Sequence, residues 1–185
     1  SQPSGRWAIE AFGSTRDRAR PPVSDSDHSA LYAAELSAFD GTDLEDVRSF
    51  EQVRSLIDAV AADPWWPSGG VVVRAARSDA HSSSARCAAS GGGPGAIRLA
   101  ASQTTIATAA HELAHVLAGQ AHGHGALYRR AYLDVVWVIT NIDSTDRRLG
   151  LHVDQLTEAF SAAGLEVAPR RWPAPPAGTG SAFAL

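Results

Sequence analysis

The chain has 185 residues, 44% of them hydrophobic and 19% charged, with a formal net charge of −4. That length suits one hydrophobic core and is short for two, and the acidic balance leaves no basic excess for a nucleic acid backbone. One cysteine, Cys87, excludes an internal disulfide framework, no apolar run approaches the ~20 residues that span a bilayer, and residues 1–20 are polar, so a reduced, cytoplasmic setting is expected.

Residues 1–26 mix Ser, Pro, Arg and Asp without apolar periodicity, and Pro21-Pro22 stops any helix, so an N-terminal arm is expected there. A domain over residues 27–167 follows. Its first helix carries Leu31, Ala34, Glu35 and Ala38, takes Asp27 or Ser29 as N-cap, and ends at Asp40-Gly41. Ser49 and Gln52 have the form of a capping box, and the spacing of Phe50, Val53, Leu56, Ile57 and Val60 predicts an amphipathic helix up to Asp63-Pro64. Trp65-Trp66-Pro67 and Ser68-Gly69-Gly70 make a bulky turn into a β-branched run, and a strand is expected over residues 70–75. The Ser-, Ala- and Gly-rich residues 76–95 read as a long flexible loop. A second strand over 96–100, alternating apolar and polar, stands directly before a helix over 103–118 that Gly119 stops. Further helices are expected over 125–139 and 153–163, and the Pro- and Ala-rich residues 168–185 read as a tail.

His111-Glu112-Leu113-Ala114-His115 lies on the helix over 103–118. Histidines four apart leave one helix face with Cβ atoms about 5–6 Å apart, close enough to share a zinc ion. Glu112, on the adjoining surface, reaches a metal-bound water without taking a coordination position, which is the placement of a general base. A catalytic zinc takes three protein ligands and leaves a fourth position to water, so a third ligand is needed. His122 and His124, after the glycine turn, are the candidates. The metzincin pattern would need a glycine and a histidine where Ala118 and Ala121 stand, and the chain has no Met for a Met-turn. Glu158 and Glu166 lie too far along for a thermolysin-like glutamate ligand.

Tyr128 and Tyr132 follow His124 at i+4 and i+8, on the face toward the metal helix. Both suit core packing, and the Tyr132 hydroxyl is in addition a candidate donor to a transition-state oxyanion. Asp134 reads either as solvated helix face or as an orienting partner for a histidine. His28, His81 and His152 stand apart from the motif and read as surface or packing residues. Trp65, Trp66 and Trp137 read as core or turn packing, and Arg129-Arg130, Arg147-Arg148 and Arg170-Arg171 as solvated charge.

An H-E-x-x-H helix followed within a short loop by H-G-x-x-aromatic, here His124-Gly125-Ala126-Leu127-Tyr128, resembles the SprT-like zinc metalloproteases. The stretch from Leu31-Tyr32-Ala33-Ala34-Glu35 through His111 to Tyr132-Leu133 is similar to a family of small actinobacterial metallohydrolases, and the two metal segments are the specific part of that likeness. The resemblance implies zinc-dependent hydrolysis, with His111, His115 and His124 as ligands of one Zn²⁺ and Glu112 as the base. His122 stays open as the rival ligand, because H-G begins there too, although its fifth position is Ala126 instead of an aromatic.

The fold expected is α+β and zincin-like, a small twisted sheet packed against the metal helix with several further helices around it. In that arrangement the strand over 96–100 borders the cleft and pairs with an extended peptide. The function expected is a metallopeptidase acting on a peptide or protein, with a non-catalytic zinc-binding module as the alternative. A DNA-associated protease would need a basic or zinc-ribbon element, which one Cys and a net charge of −4 do not supply.

Overall fold

A computed structural model describes residues 25–67, 69–87, 93–143 and 150–177. The arm expected over 1–26 lies outside these residues up to position 24, as do Ser68, Arg147, Arg148 and the tail beyond residue 177. Within the described residues the chain is mixed α+β, with helices α1 (Asp25–Phe39), α2 (Phe50–Ala62), α3 (Ile106–Ala118), α4 (Ala126–Asp143) and α5 (Leu151–Ala162). Strands β1 (Val71–Ala75), β2 (Ser84–Arg86) and β3 (Gly95–Leu99) form one sheet, and short 3₁₀ turns cover Asp43–Glu45, Ala101–Gln103 and Gln120–His122.

Local signals account for most boundaries. The Gln52 amide donates to Ser49 Oγ (3.2 Å) and the Ser49 amide to Gln52 Oε1 (2.9 Å), so the capping box starts α2, which then buries Val53, Ile57 and Val60. α3 starts later than its apolar pattern suggests, because residues 101–103 form a 3₁₀ turn and Thr105 caps the helix by accepting from the Thr108 amide (3.1 Å). Gly119, at φ 89°, ends α3 in a conformation that a side chain would strain. α1 begins at Asp25, so Asp27 and Ser29 lie inside the helix instead of capping it.

The sheet corrects two expectations. β3 is central: it pairs parallel with β1 (Val73 opposite Ile97) and antiparallel with β2 (Ala85 opposite Ile97). Its backbone is therefore engaged on both sides, and the sheet edge beside α3 belongs to β2, inside the expected loop, with the Ala85 carbonyl accepting from Gln120 Nε2 (3.2 Å). Ser-Ala-Arg carries no strand signal of its own, since it is short and lacks β-branched or aromatic residues. What holds it is tertiary. The Ser83 amide donates to Gln103 Oε1 (2.6 Å) and Ser83 Oγ accepts from the Ala100 amide (3.0 Å), pinning the strand's entry beside the end of β3.

Gly95, Ile97 and Leu99 are the buried positions of β3, and the sheet meets α3 closely at Gly95, where a Cβ would lie 2.5 Å from Val116 Cγ1. On its other side α3 packs along α4. Residues 168–177, expected as tail, are laid against α4 and the turn that follows α2. The Ala168 amide donates to Ala126 O (3.0 Å), and the indoles of Trp65 and Trp137 donate to Pro173 O and Pro176 O (both 2.8 Å). Prolines lack a donor but keep their carbonyls, so such a segment is fixed by donors from elsewhere. Asp134 is buried and takes Arg170 bidentately (2.7 and 2.8 Å) and the Trp172 indole (3.0 Å). It is thus neither solvated nor a histidine partner, and Arg170 is no free surface charge.

Gly95→Ala is expected to push the sheet from α3 and destabilise the fold by about 1–3 kcal/mol, because Val116 is too stiff to yield. Urea unfolding reads this directly, and an unchanged midpoint would contradict so close an approach.

Candidate metal centre

α3 presents His111 and His115 one turn apart, and the return into α4 brings the third imidazole to them. After Gly119 the chain makes the 3₁₀ turn holding His122, passes Gly123 (φ 45°), and places His124 just before α4. Arg129, buried in α4, fixes that corner by donating to His124 O (2.8 Å) and Glu166 O (2.6 Å). Arg129 is therefore structural, not solvated charge.

His124 Nε2 lies 3.1 Å from His115 Nε2 and 3.3 Å from His111 Nε2. Tetrahedral zinc with Zn–N distances of about 2.0–2.1 Å needs nitrogens about 3.3–3.4 Å apart. The donor set fits, and the His111–His115–His124 cluster could hold a metal ion. His122 is not a member of that cluster. Burial, then the neighbouring His111, hold His115 down to about 3 and His124 down to about 4, so both rings are neutral, which is the ligand form.

Glu35 orients the first ligand. From α1 its Oε1 stands 2.9 Å from His111 Nδ1, which puts the ring proton on Nδ1 and leaves Nε2 to face its two partners. Burial alone would depress His111, but the hydrogen bond to Glu35 and the charges of Glu35 and Glu112 outweigh it and raise its pKa. Glu112 is only 6% exposed. Burial pushes its pKa up to about 7, against the His111 charge and with help from Glu35. It lies between two openings: an inner pocket of about 130 Å³ with Glu35 and Tyr132, and a wider cleft of about 380 Å³ bounded by β2 and the other two histidines.

Tyr128 and Tyr132 pack beneath the imidazoles. The Tyr128 ring is 4.4 Å from that of His115 and its hydroxyl reaches His111 O at 3.5 Å, while Tyr132 lies 5.8 Å from the His111 ring. Both phenols are enclosed, and burial, then Glu35, raises their pKa well above the ordinary value, so they stay protonated.

α1 contributes more than its sequence announces. His28 does not stand apart from the motif: its ring lies 4.8 Å from that of His124, and Tyr32 stacks on His111 at 5.8 Å and 16°. The signal for both is spacing, since His28, Tyr32 and Glu35 fall at i, i+4 and i+7 on one helical stripe. His81 is exposed, and His152 pairs with Asp43 (3.2 Å).

No family model, curated protein or solved structure matches the chain. The likeness to SprT-like proteases therefore rests on the motif residues themselves.

Glu35→Ala is expected to weaken Zn²⁺ binding about 10- to 100-fold with the fold intact, the usual cost of losing a carboxylate behind a ligating histidine. Competition with a chromophoric chelator measures it, and unchanged affinity would remove Glu35 from the orienting role.

Proposed function

We propose that this protein is a zinc-dependent hydrolase of zincin-like architecture, and most specifically a metallopeptidase. The observation that carries the reading is the convergence of three imidazole nitrogens beside a buried glutamate, in a cleft walled on one side by β2. His111, His115 and His124 would hold the ion, which when bound supplies a Lewis acid for a carbonyl oxygen and a more acidic water. Three protein donors match an open catalytic site better than the closed four-donor set of a purely structural zinc. The likeness of the H-E-x-x-H and H-G-x-x-aromatic segments to SprT-like proteases supports the same reading.

The chain's own groups then divide the work. Glu112 accepts a proton from the attacking water as its oxygen bonds to the carbonyl carbon, and returns that proton to the leaving amine as the tetrahedral carbon collapses and the carbon–nitrogen bond breaks. Glu35 keeps the His111 ring in one tautomer throughout. An extended peptide enters along the outer side of β2, where its amide replaces the Gln120 side chain on Ala85 O (3.2 Å), since Ser83, Ser84 and Ala85 line the cleft that holds the histidines. This replaces the strand over 96–100 as the docking edge.

The partner is accordingly a peptide or an unfolded protein segment, and the net charge of −4 argues against a nucleic acid. No described helix is long and apolar enough to cross a membrane. Cys87, the chain's single thiol, contacts His115 O (3.2 Å) and the Gln120 amide (3.0 Å) and suits a reducing, cytoplasmic compartment.

Glu112→Gln is expected to lower peptide turnover about 10²- to 10⁴-fold while one zinc per chain is retained. Metal analysis alongside a quenched-fluorescent peptide library tests this. Loss of zinc together with activity, or full activity in the variant, would remove Glu112 from the role of base.

A further inference from the structure

α1 lays three side chains across the histidine cluster, and each has a different degree of freedom. Glu35 is committed to His111 Nδ1 (2.9 Å). His28 meets the His124 ring edge-on at 4.8 Å. Tyr32, between them, stacks nearly parallel on His111 (5.8 Å, 16°) and presents its edge to His124 (5.8 Å) and to His28 (4.6 Å). Ring contacts with three imidazoles fix where the phenol stands.

Yet Tyr32 is 46% exposed, whereas Tyr128 and Tyr132 are 0% and 1% exposed. It also lines both the cleft beneath β2 and the inner pocket, the two spaces that flank Glu112, while Tyr132 borders the inner pocket and not the cleft. An aromatic ring clamped by three imidazoles on one side and open to the substrate's approach on the other has an anchored body and an available hydroxyl.

Amide hydrolysis builds negative charge on the carbonyl oxygen, and a neutral O–H donor already in place lowers the energy of that state more than that of the bound peptide. We infer that the Tyr32 hydroxyl is this donor, a catalytic residue supplied by α1 and facing the peptide carbonyl across the histidine cluster. The inference rests on the hydrolase reading above. Tyr32 keeps its proton throughout: it donates a hydrogen bond as the tetrahedral carbon forms and releases it when the carbonyl is restored, while Glu112 carries the transferred proton.

The test compares Tyr32→Phe with the wild type, Tyr132→Phe and Glu112→Gln on a quenched-fluorescent peptide library. The binding probe is a phosphinic peptide, a tetrahedral mimic built on the best-cleaved sequence. Removing one hydroxyl from a half-exposed ring leaves the stacking and the fold intact. In Tyr32→Phe, kcat is expected to fall about 10²- to 10³-fold with little change in KM, and zinc content to stay at one per chain. Calorimetry should show the phosphinic peptide bound more weakly by a similar factor, and the product peptides bound as before.

If Tyr32→Phe keeps kcat within about threefold of the wild type while Glu112→Gln is inactive, the Tyr32 assignment fails alone. It fails equally if the loss appears in Tyr132→Phe instead. A wild type as inactive as Glu112→Gln, with zinc bound, would overturn the hydrolase reading and the assignment with it.

Discussion

His124 Nε2 stands within hydrogen-bond distance of both His115 Nε2 (3.1 Å) and His111 Nε2 (3.3 Å), a set that the rings cannot satisfy among themselves. A neutral imidazole has one donor and one acceptor, and the donor of His111 is committed to Glu35, so its Nε2 can only accept. A cation at the centre is the one partner that serves all three nitrogens. Assembling such a set costs free energy, since each ring gives up water. The offset comes from the packing on either side: Ala110, Leu113 and Ala114 of α3 share a core with Ala131, Val135 and Ile139 of α4, so the apolar faces that hold the helices together also hold the histidines at one point.

What the sequence revealed and what it concealed divide by the distance over which each signal acts. The capping box of Ser49 and Gln52, the stop at Gly119 and the one-turn spacing of His111 and His115 are local, and each is legible in a few consecutive residues. His124 could be preferred over His122 through a motif likeness and its place at a helix start. In the structure the turn residue Gly123 separates them, and His124 alone of the two joins the cluster. Glu35 is 76 residues from the histidine it orients, and on α1 it looks like any polar residue of a surface helix. β2 is a strand because β3 and Ser83 hold it there, not because Ser-Ala-Arg favours extended backbone. The tail misled for the opposite reason. Its prolines deny it regular structure, yet its carbonyls are fixed by indoles and by arginines of α4.

The burial of Asp134 shows how a charged residue misleads when its partner is remote. In sequence it reads as solvated or as a partner for a histidine, but Arg170 and Trp172 fold back onto it. That cluster ties the end of the chain to the same helix whose start positions His124. α4 is consequently loaded from both sides, with the metal corner at its beginning and the returning segment along its length. A shift of α4 would disturb both, which couples the geometry of the site to the seating of residues 168–177.

α1 completes the arrangement by doing two jobs on two faces. Leu31, Ala34 and Ala38 enter the core, and Phe39 meets both Tyr132 (6.2 Å) and His152 (6.3 Å), so the helix is seated by apolar contact. His28, Tyr32 and Glu35 can then remain polar or half-exposed without cost to the fold, because the helix does not depend on them for its position. The residues that seat the helix and those that face the histidines therefore alternate along one helix, and either set can change with little effect on the other. β2 answers it across the cleft. A long apolar edge strand would recruit other chains indiscriminately, whereas β2 is three small or polar residues long and its Ala85 carbonyl is covered by the Gln120 side chain (3.2 Å). Between Tyr32 and β2 a cleft of about 380 Å³ lies over the three imidazoles, and it is here that the peptide proposed above would lie.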